Sequence, residues 1–220
     1  MATELNSDFS IPAHADTANM PWQDSPQSGV QRRLLDRIGD EVARATSLVR
    51  FEAGAVFPRH VHELGEEFFV LWGVFEDSDD VYPAGTYARH PPGSSHAPWS
   101  KRGCVLLVKL RQFDPADDAW VKVNTRSEDG WVPDSAGNRR LALHSFGAES
   151  VWAVEVTRQS TPQECPGGAE LYVLEGDLQA NGQPLATGSW LRLPPGATLS
   201  LAPGTQTARV WMKLGHLGAR

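Results

Sequence analysis

Residues 60–77 read HVHELGEEFFVLWGVFED and residues 82–98 read YPAGTYARHPPGSSHAP. On an extended strand, side chains two positions apart leave on the same face. His60 and His62 can therefore aim two imidazoles at one point. Glu66 shares their parity if a short turn intervenes and the chain returns as the apolar run FFVLWG. The second stretch starts at Gly85 as a strand, passes a tight Pro91-Pro92-Gly93 turn and delivers a third imidazole at His96.

The same texture extends outward from this region. SLVRFEAG, GCVLLVKLRQF, VWAVEVT, AELYVLEGDL, SWLRLPPG and ARVWMKLG are strand-like runs, most bounded by glycine, proline or aspartate. Shifting the sequence by 103 residues lays one half on the other. Glu67 falls on Glu170, Val70-Leu71 on Val173-Leu174, Gly73 on Gly176, Gly85 on Gly188 and Pro91-Pro92-Gly93 on Pro194-Pro195-Gly196. One register carrying turns and strand residues together marks an internal duplication of a β unit. Each unit has about six to eight short strands, which predicts an all-β chain of two tandem sandwiches or barrels. Crossover helices, which a parallel α/β sheet needs, do not recur.

Composition excludes other classes. A formal charge of −7 with no Lys/Arg run argues against nucleic acid as a partner. Cys104 and Cys165 are too few for a disulfide framework. No apolar stretch has the length of a signal peptide or membrane span, so a cytoplasmic protein with no membrane association is expected. There is no GxSxG elbow and no phosphate-cradling glycine loop.

The full spacing, G-x5-H-x-H-x3-E-x6-G from Gly54 to Gly73 and then G-x5-P-x-G-x2-H from Gly85 to His96, resembles the two-part motif of the cupin superfamily. The closer likeness is to the cupin domain of ChrR-like anti-sigma factors, carried by residues 60–77, 82–98 and the run GCVLLVKL. The resemblance implies tandem double-stranded β-helix (jelly-roll) barrels, a bicupin. It also implies one divalent metal held by His60, His62, Glu66 and His96. Three imidazoles and a carboxylate suit Zn, Fe, Mn, Ni or Co, with zinc the first expectation. The motif's usual asparagine is Ser100 here. The N-terminus lacks the sigma-binding domain and cysteine motif of those factors, so a sigma factor is not expected as partner.

The second unit has lost the ligands: at the same offset stand Gln163, Cys165, Ala169 and Leu199. The expected organisation is a polar arm over 1–29, a metal-binding barrel over 30–112, a connection over 113–140 and a degenerate barrel over 141–220. Residues 30–42, VQRRLLDRIGDEV, fit a strand or a short amphipathic helix. Glu67, kept as Glu170 where no metal can bind, reads as structural. Phe68, Val70 and Trp72 share the parity of Glu66 and should face the barrel interior, where they and Trp99 could wall a ligand pocket. His90 reads as a histidine without a metal role, because the Pro/Gly turn interrupts its register with His96. Three functions follow: a sensory or regulatory bicupin responding to an oxidant or small ligand, with a regulatory protein partner; a metal-dependent dioxygenase or carbon–carbon cleaving enzyme; and a metal-stabilised scaffold. Exposed sheet edges make a homodimer the expected assembly.

Overall fold

Apolar and aromatic strand runs bury themselves by pairing into sheets, and this chain does so twice over. The computed structural model describes residues 4–218, and the only helical element among them is a 3-10 turn at Thr17–Asn19. None of the described helices is long and apolar enough to cross a membrane. The chain divides into two units, each a jelly-roll barrel. One takes Pro21–Ser127 with the segment ending at Ser7; the other takes Asp8–Met20 with the chain from Glu128 onward.

In the first unit, Val30–Ile38, Arg44–Phe51, Cys104–Leu110, Glu66–Glu76, Thr86–His90 and Val121–Asn124 lie side by side, all antiparallel. The stretch that fitted either strand or helix is thus a strand over Val30–Ile38. A short ribbon of His60–His62 against Ser94–His96 forms a separate two-stranded sheet. The core between the layers holds Phe51, Phe68, Val70, Phe75, Tyr82 and Leu106.

The second unit repeats this plan in Arg139–Phe146, Glu149–Val156, Ala208–Leu214, Ala169–Glu175 and Ser189–Leu193, again antiparallel. Its short ribbon pairs Gln163 with Leu199, the same register that pairs His60 with His96. Its outermost strand comes from far upstream. Ala13–Asp16 pairs with Ser189–Leu193, and Thr17 behind it donates its hydroxyl to the Gly188 carbonyl at 2.6 Å. Part of the stretch expected as an arm is therefore sheet. Likewise Val121–Asn124, inside the expected connection, is the edge strand of the first unit.

Each long central strand carries one extra residue. Leu106 faces Val70 and Val105 faces Trp72, leaving Leu71 as a bulge; in the second unit Leu174 occupies the same place. The glycine that follows is required by close approach. Gly73 has φ +76, and a Cβ there would sit 2.1 Å from the Gly103 carbonyl oxygen; Gly176, at φ +75, meets the Thr207 carbonyl at 2.4 Å. The bulge switches the alternation of faces. Trp72, expected inside the barrel, is 61% exposed, and Phe75 takes the interior position at 2%. Side-chain parity counted from Glu66 fails at Leu71 because one residue there has no partner.

Phe75→Ala should cost about 3–5 kcal/mol in urea denaturation, as truncated core aromatics do. Trp72→Ser should stay within about 0.5 kcal/mol. Similar losses for both would contradict the parity switch.

Candidate metal centre

The ribbon and the central strand meet at one cluster. His60 and His62 leave the same face of their strand, and Val61 between them is exposed. The cross-strand partner of His60 is His96. Glu66 opens the neighbouring long strand, and its cross-strand partner is His90. Directly opposed residues on paired strands project to the same side. The ribbon therefore brings His60, His62 and His96 to Glu66 from one direction, and the sheet brings His90 from another.

The distances show convergence. Glu66 Oε2 lies 3.3 Å from His62 Nε2, 3.5 Å from His96 Nε2 and 4.0 Å from His90 Nδ1. His62, Glu66, His90 and His96 are all buried, with one donor atom each within 4.8 Å of the others. His60 stands at the edge of the group, its ring centroid 4.7 Å from that of His62 and 5.0 Å from that of His96. His90 was expected to have no metal role. Pairing with Glu66, not the turn before His96, sets its position, and strand pairing is not written in local spacing.

Further residues fix the rings. Asp77, at the end of the 60–77 stretch, accepts from His96 Nδ1–H at 3.0 Å. Its other oxygen accepts the backbone N–H of Asp79 and Asp80, each at 2.9 Å. The Tyr82 hydroxyl lies 3.3 Å from His90 Nε2 and 3.5 Å from Asp77. His60 Nδ1–H donates to the Pro58 carbonyl at 2.9 Å. A ring whose Nδ1 carries the proton keeps its Nε2 lone pair free to ligate. Asp77 and Tyr82 were not singled out by sequence; the Asp-Ser-Asp-Asp turn that begins at Asp77 is the one local sign of a capping carboxylate.

Electrostatics favour neutral His62 and His90 beside an ionised carboxylate, and favour the proton on His96. Burial pushes His62 down to about 4, although Glu66 opposes it. Burial also lowers His90. Burial would raise Glu66, but the surrounding imidazoles, His62 foremost, hold it below the usual carboxylate range. His96 moves upward: burial opposes, and the Asp77 hydrogen bond and the Glu66 charge prevail. Asp77 itself, in spite of burial, is drawn down to about 2 by His96 and the two backbone N–H groups.

These residues fit a metal by a test internal to the structure. His62 Nε2, Glu66 Oε2 and His96 Nε2 are buried and have no hydrogen-bond partner. Buried polar atoms are rarely left so. Their separations match donors each about 2.0–2.2 Å from a shared ion. The second barrel gives the control. Where the first has His62, Glu66, Asp77, Tyr82, His90 and His96, it has Cys165, Ala169, Ala180, Leu185, Leu193 and Leu199, all within or packed against its apolar core. Ligands and supporting residues are absent there together.

A cavity of about 390 Å³ reaches His60, His62, Glu66 and His96. Its walls include Val30, Val49, Phe51, Phe57, Leu106 and Val108. The residues expected to wall a pocket lie elsewhere. Phe68 and Val70 belong to the core, Phe68 packing edge-on to Phe75 and Tyr82. Trp72 faces solvent, and Trp99 is half-buried in a short strand paired with Val56 and Glu76.

Residues 11–114 match the family model described as the ChrR cupin-like domain. No curated protein matches the chain. Among solved structures it resembles a Nostoc punctiforme protein assigned provisionally as a dioxygenase, with 15% identity, TM-score 0.74 and coverage of 93% of this chain and 82% of that one. The Escherichia coli protein YlbA shares 12% identity over 100% of this chain and 96% of its own, with TM-score 0.73. The E. coli pirin YhhW in complex with nickel(II) shares 13% identity over 93% and 99%, with TM-score 0.65. Identities this low establish a shared fold.

In metal-free protein, ring ¹⁵N shifts should show His62 neutral until the pH falls to about 4 and His96 retaining its proton above the ordinary histidine value. Titration of both near pH 6.5 would contradict the assigned environments. Asp77→Ala should weaken metal affinity about 10–100-fold, as loss of a carboxylate behind a metal-bound histidine does. Competition with a chromophoric chelator measures it.

Proposed function

Because the chain belongs to the cupin superfamily, we propose that its first barrel is a mononuclear metal centre and that the protein is a metal-dependent enzyme for a small organic substrate. The supporting observation is the cavity that leads to partnerless donor atoms. A closed structural zinc site would need no such approach. His60, His62, Glu66 and His96 hold the ion in this reading, with His90 as a further donor beside them. A bound divalent ion would supply Lewis acidity, polarising a coordinated oxygen and lowering the pKa of bound water.

The chain's own residues then divide the work. Asp77 and the Pro58 carbonyl orient two of the rings. Glu66 contributes the single negative charge among the donors. The apolar walls lower the polarity around the floor, which strengthens electrostatic interactions there. Oxidative or hydrolytic carbon–carbon cleavage is the reaction class in view, in keeping with the provisional dioxygenase assignment of one structural neighbour.

A second reading is a sensor whose ligand-bound state is passed to a protein partner. The match to the ChrR cupin-like domain favours it. Pull-downs under oxidised and reduced conditions, set beside turnover and oxygen-uptake assays, separate the two readings. Turnover without a partner supports the enzyme; a redox-dependent partner without turnover supports the sensor.

Protein purified without a metal-affinity step should carry one equivalent of divalent metal per chain by elemental analysis. His62→Ala should carry almost none. Full occupancy in that variant would refute the ligand assignment.

A further inference from the structure

The cavity meets the cluster from the ribbon side, and the sheet side has a covering of its own. Asp77, Tyr82, His90 and Trp120 are not among the described residues that line the cavity. The two sides differ in what they offer a cation. The cavity is walled by Val30, Val49, Phe51, Phe57, Leu106 and Val108. Hydrocarbon gives a dication nothing in place of its hydration shell.

The sheet side carries the negative charge. Asp77-Ser78-Asp79-Asp80 is one turn, closed by the Asp77 N–H donating to the Asp80 carbonyl at 3.1 Å. Asp77 reaches His96 at its buried end, and Asp79 is exposed. Lys122 is paired with Asp80, so the turn keeps an excess of negative charge. Such an excess raises the local concentration of cations. At the 103-residue offset the turn reads Ala180-Asn181-Gly182-Gln183, with no carboxylate. The charge is present only in the barrel that has the ligands.

One ring separates this charge from the cluster. The centroid of Trp120 lies 5.0 Å from that of His90; Trp120 is 63% exposed and His90 3%. The backbone on either side of Trp120 is held, Asp117 by its ion pair with Arg89 and Val121 by strand pairing with the same residue. An exposed side chain on a fixed backbone still changes rotamer on the ps–ns scale. An indole face also attracts cations. In the second barrel the corresponding edge register puts Pro12 where Trp120 stands.

Resting on the metal-centre reading above, we propose that Trp120 is the gate by which the ion enters and leaves. The 77–80 turn draws the dication, the indole swings off His90 to admit it, and His90 receives it ahead of Glu66 and the other imidazoles. The apolar cavity is not on the ion's path.

The test follows Co(II), whose visible spectrum reports ligation, on the full chain by stopped flow. Trp120→Ala should speed both uptake and release into excess EDTA about fivefold, the factor a lost aromatic contact corresponds to, with Kd unchanged. Trp120→Phe should fall between. Asp79→Asn should slow uptake and reduce its salt dependence, with release unaltered. Val49→Phe, which narrows the cavity, should leave both rates as they were. Faster release with unaltered uptake would make Trp120 a residue that only positions His90, and overturns the gate. Unchanged rates in Trp120→Ala, or slower rates in Val49→Phe, overturn it too, while bound cobalt leaves the metal centre standing. A protein that takes up no cobalt overturns the metal reading, and the gate with it.

Discussion

Two adjacent glutamates on one strand, Glu66 and Glu67, leave on opposite faces, and each anchors the buried charge of its face. Glu66 gathers the imidazoles. Glu67 accepts the Tyr87 hydroxyl at 2.6 Å and the Arg89 guanidinium at 2.8 Å. Arg89 in turn reaches Asp117 and lies 4.0 Å over the Phe113 ring. A buried arginine without such partners would be costly, so the segment 113–117 is tied down by the charge it covers. In the second unit Glu170 accepts from Trp190 Nε1 at 2.8 Å, and Arg192 lies 4.3 Å from the Phe9 ring. The face that carries Glu67 thus persists in both barrels. The face that carries Glu66 has changed completely in one of them.

That asymmetry has a physical logic. The polar groups gathered at Glu66 satisfy one another only as a set. His62 Nε2, Glu66 Oε2 and His96 Nε2 are buried without hydrogen-bond partners, and each such atom costs about 1–3 kcal/mol unless something meets it. Apolar residues must therefore replace the whole set together, and in the second unit Cys165, Ala169, Ala180, Leu185, Leu193 and Leu199 close the space with apolar packing. The glycine after the bulge survives in both units because a carbonyl oxygen crowds its Cα, whatever the barrel contains.

What could be read from the sequence follows the range of the interactions. His60, His62 and Glu66 sit within seven residues and obey strand parity, so their convergence was legible; His96 needed the cupin-like motif. The repeat made the two-barrel architecture legible through turns, which are local. His90 and Tyr82 were not, because a cross-strand register and a return strand place them. Trp72 was misplaced because a bulge leaves no mark in composition; only Gly73, repeated as Gly176, hints that the strand cannot run straight there. The strand Ala13–Asp16, AHAD, alternates over only four residues, with small alanines on the inward positions and no β-branched residue. Its identity comes entirely from a partner edge far along the chain.

That distant partner has a consequence for how the molecule is made. The strand at 13–16 leaves the ribosome well before the barrel it belongs to, and the edge it completes, Ser189–Leu193, emerges roughly 170 residues later. At about 5–20 residues per second, the wait is about 10–35 s. During that interval the first unit has all of its own strands through Val121–Asn124 and can close around its histidines, while the N-terminal strand stays unpaired. Synthesis thus completes the histidine-bearing half early and leaves the closing stitch of the other half to a strand made long before it.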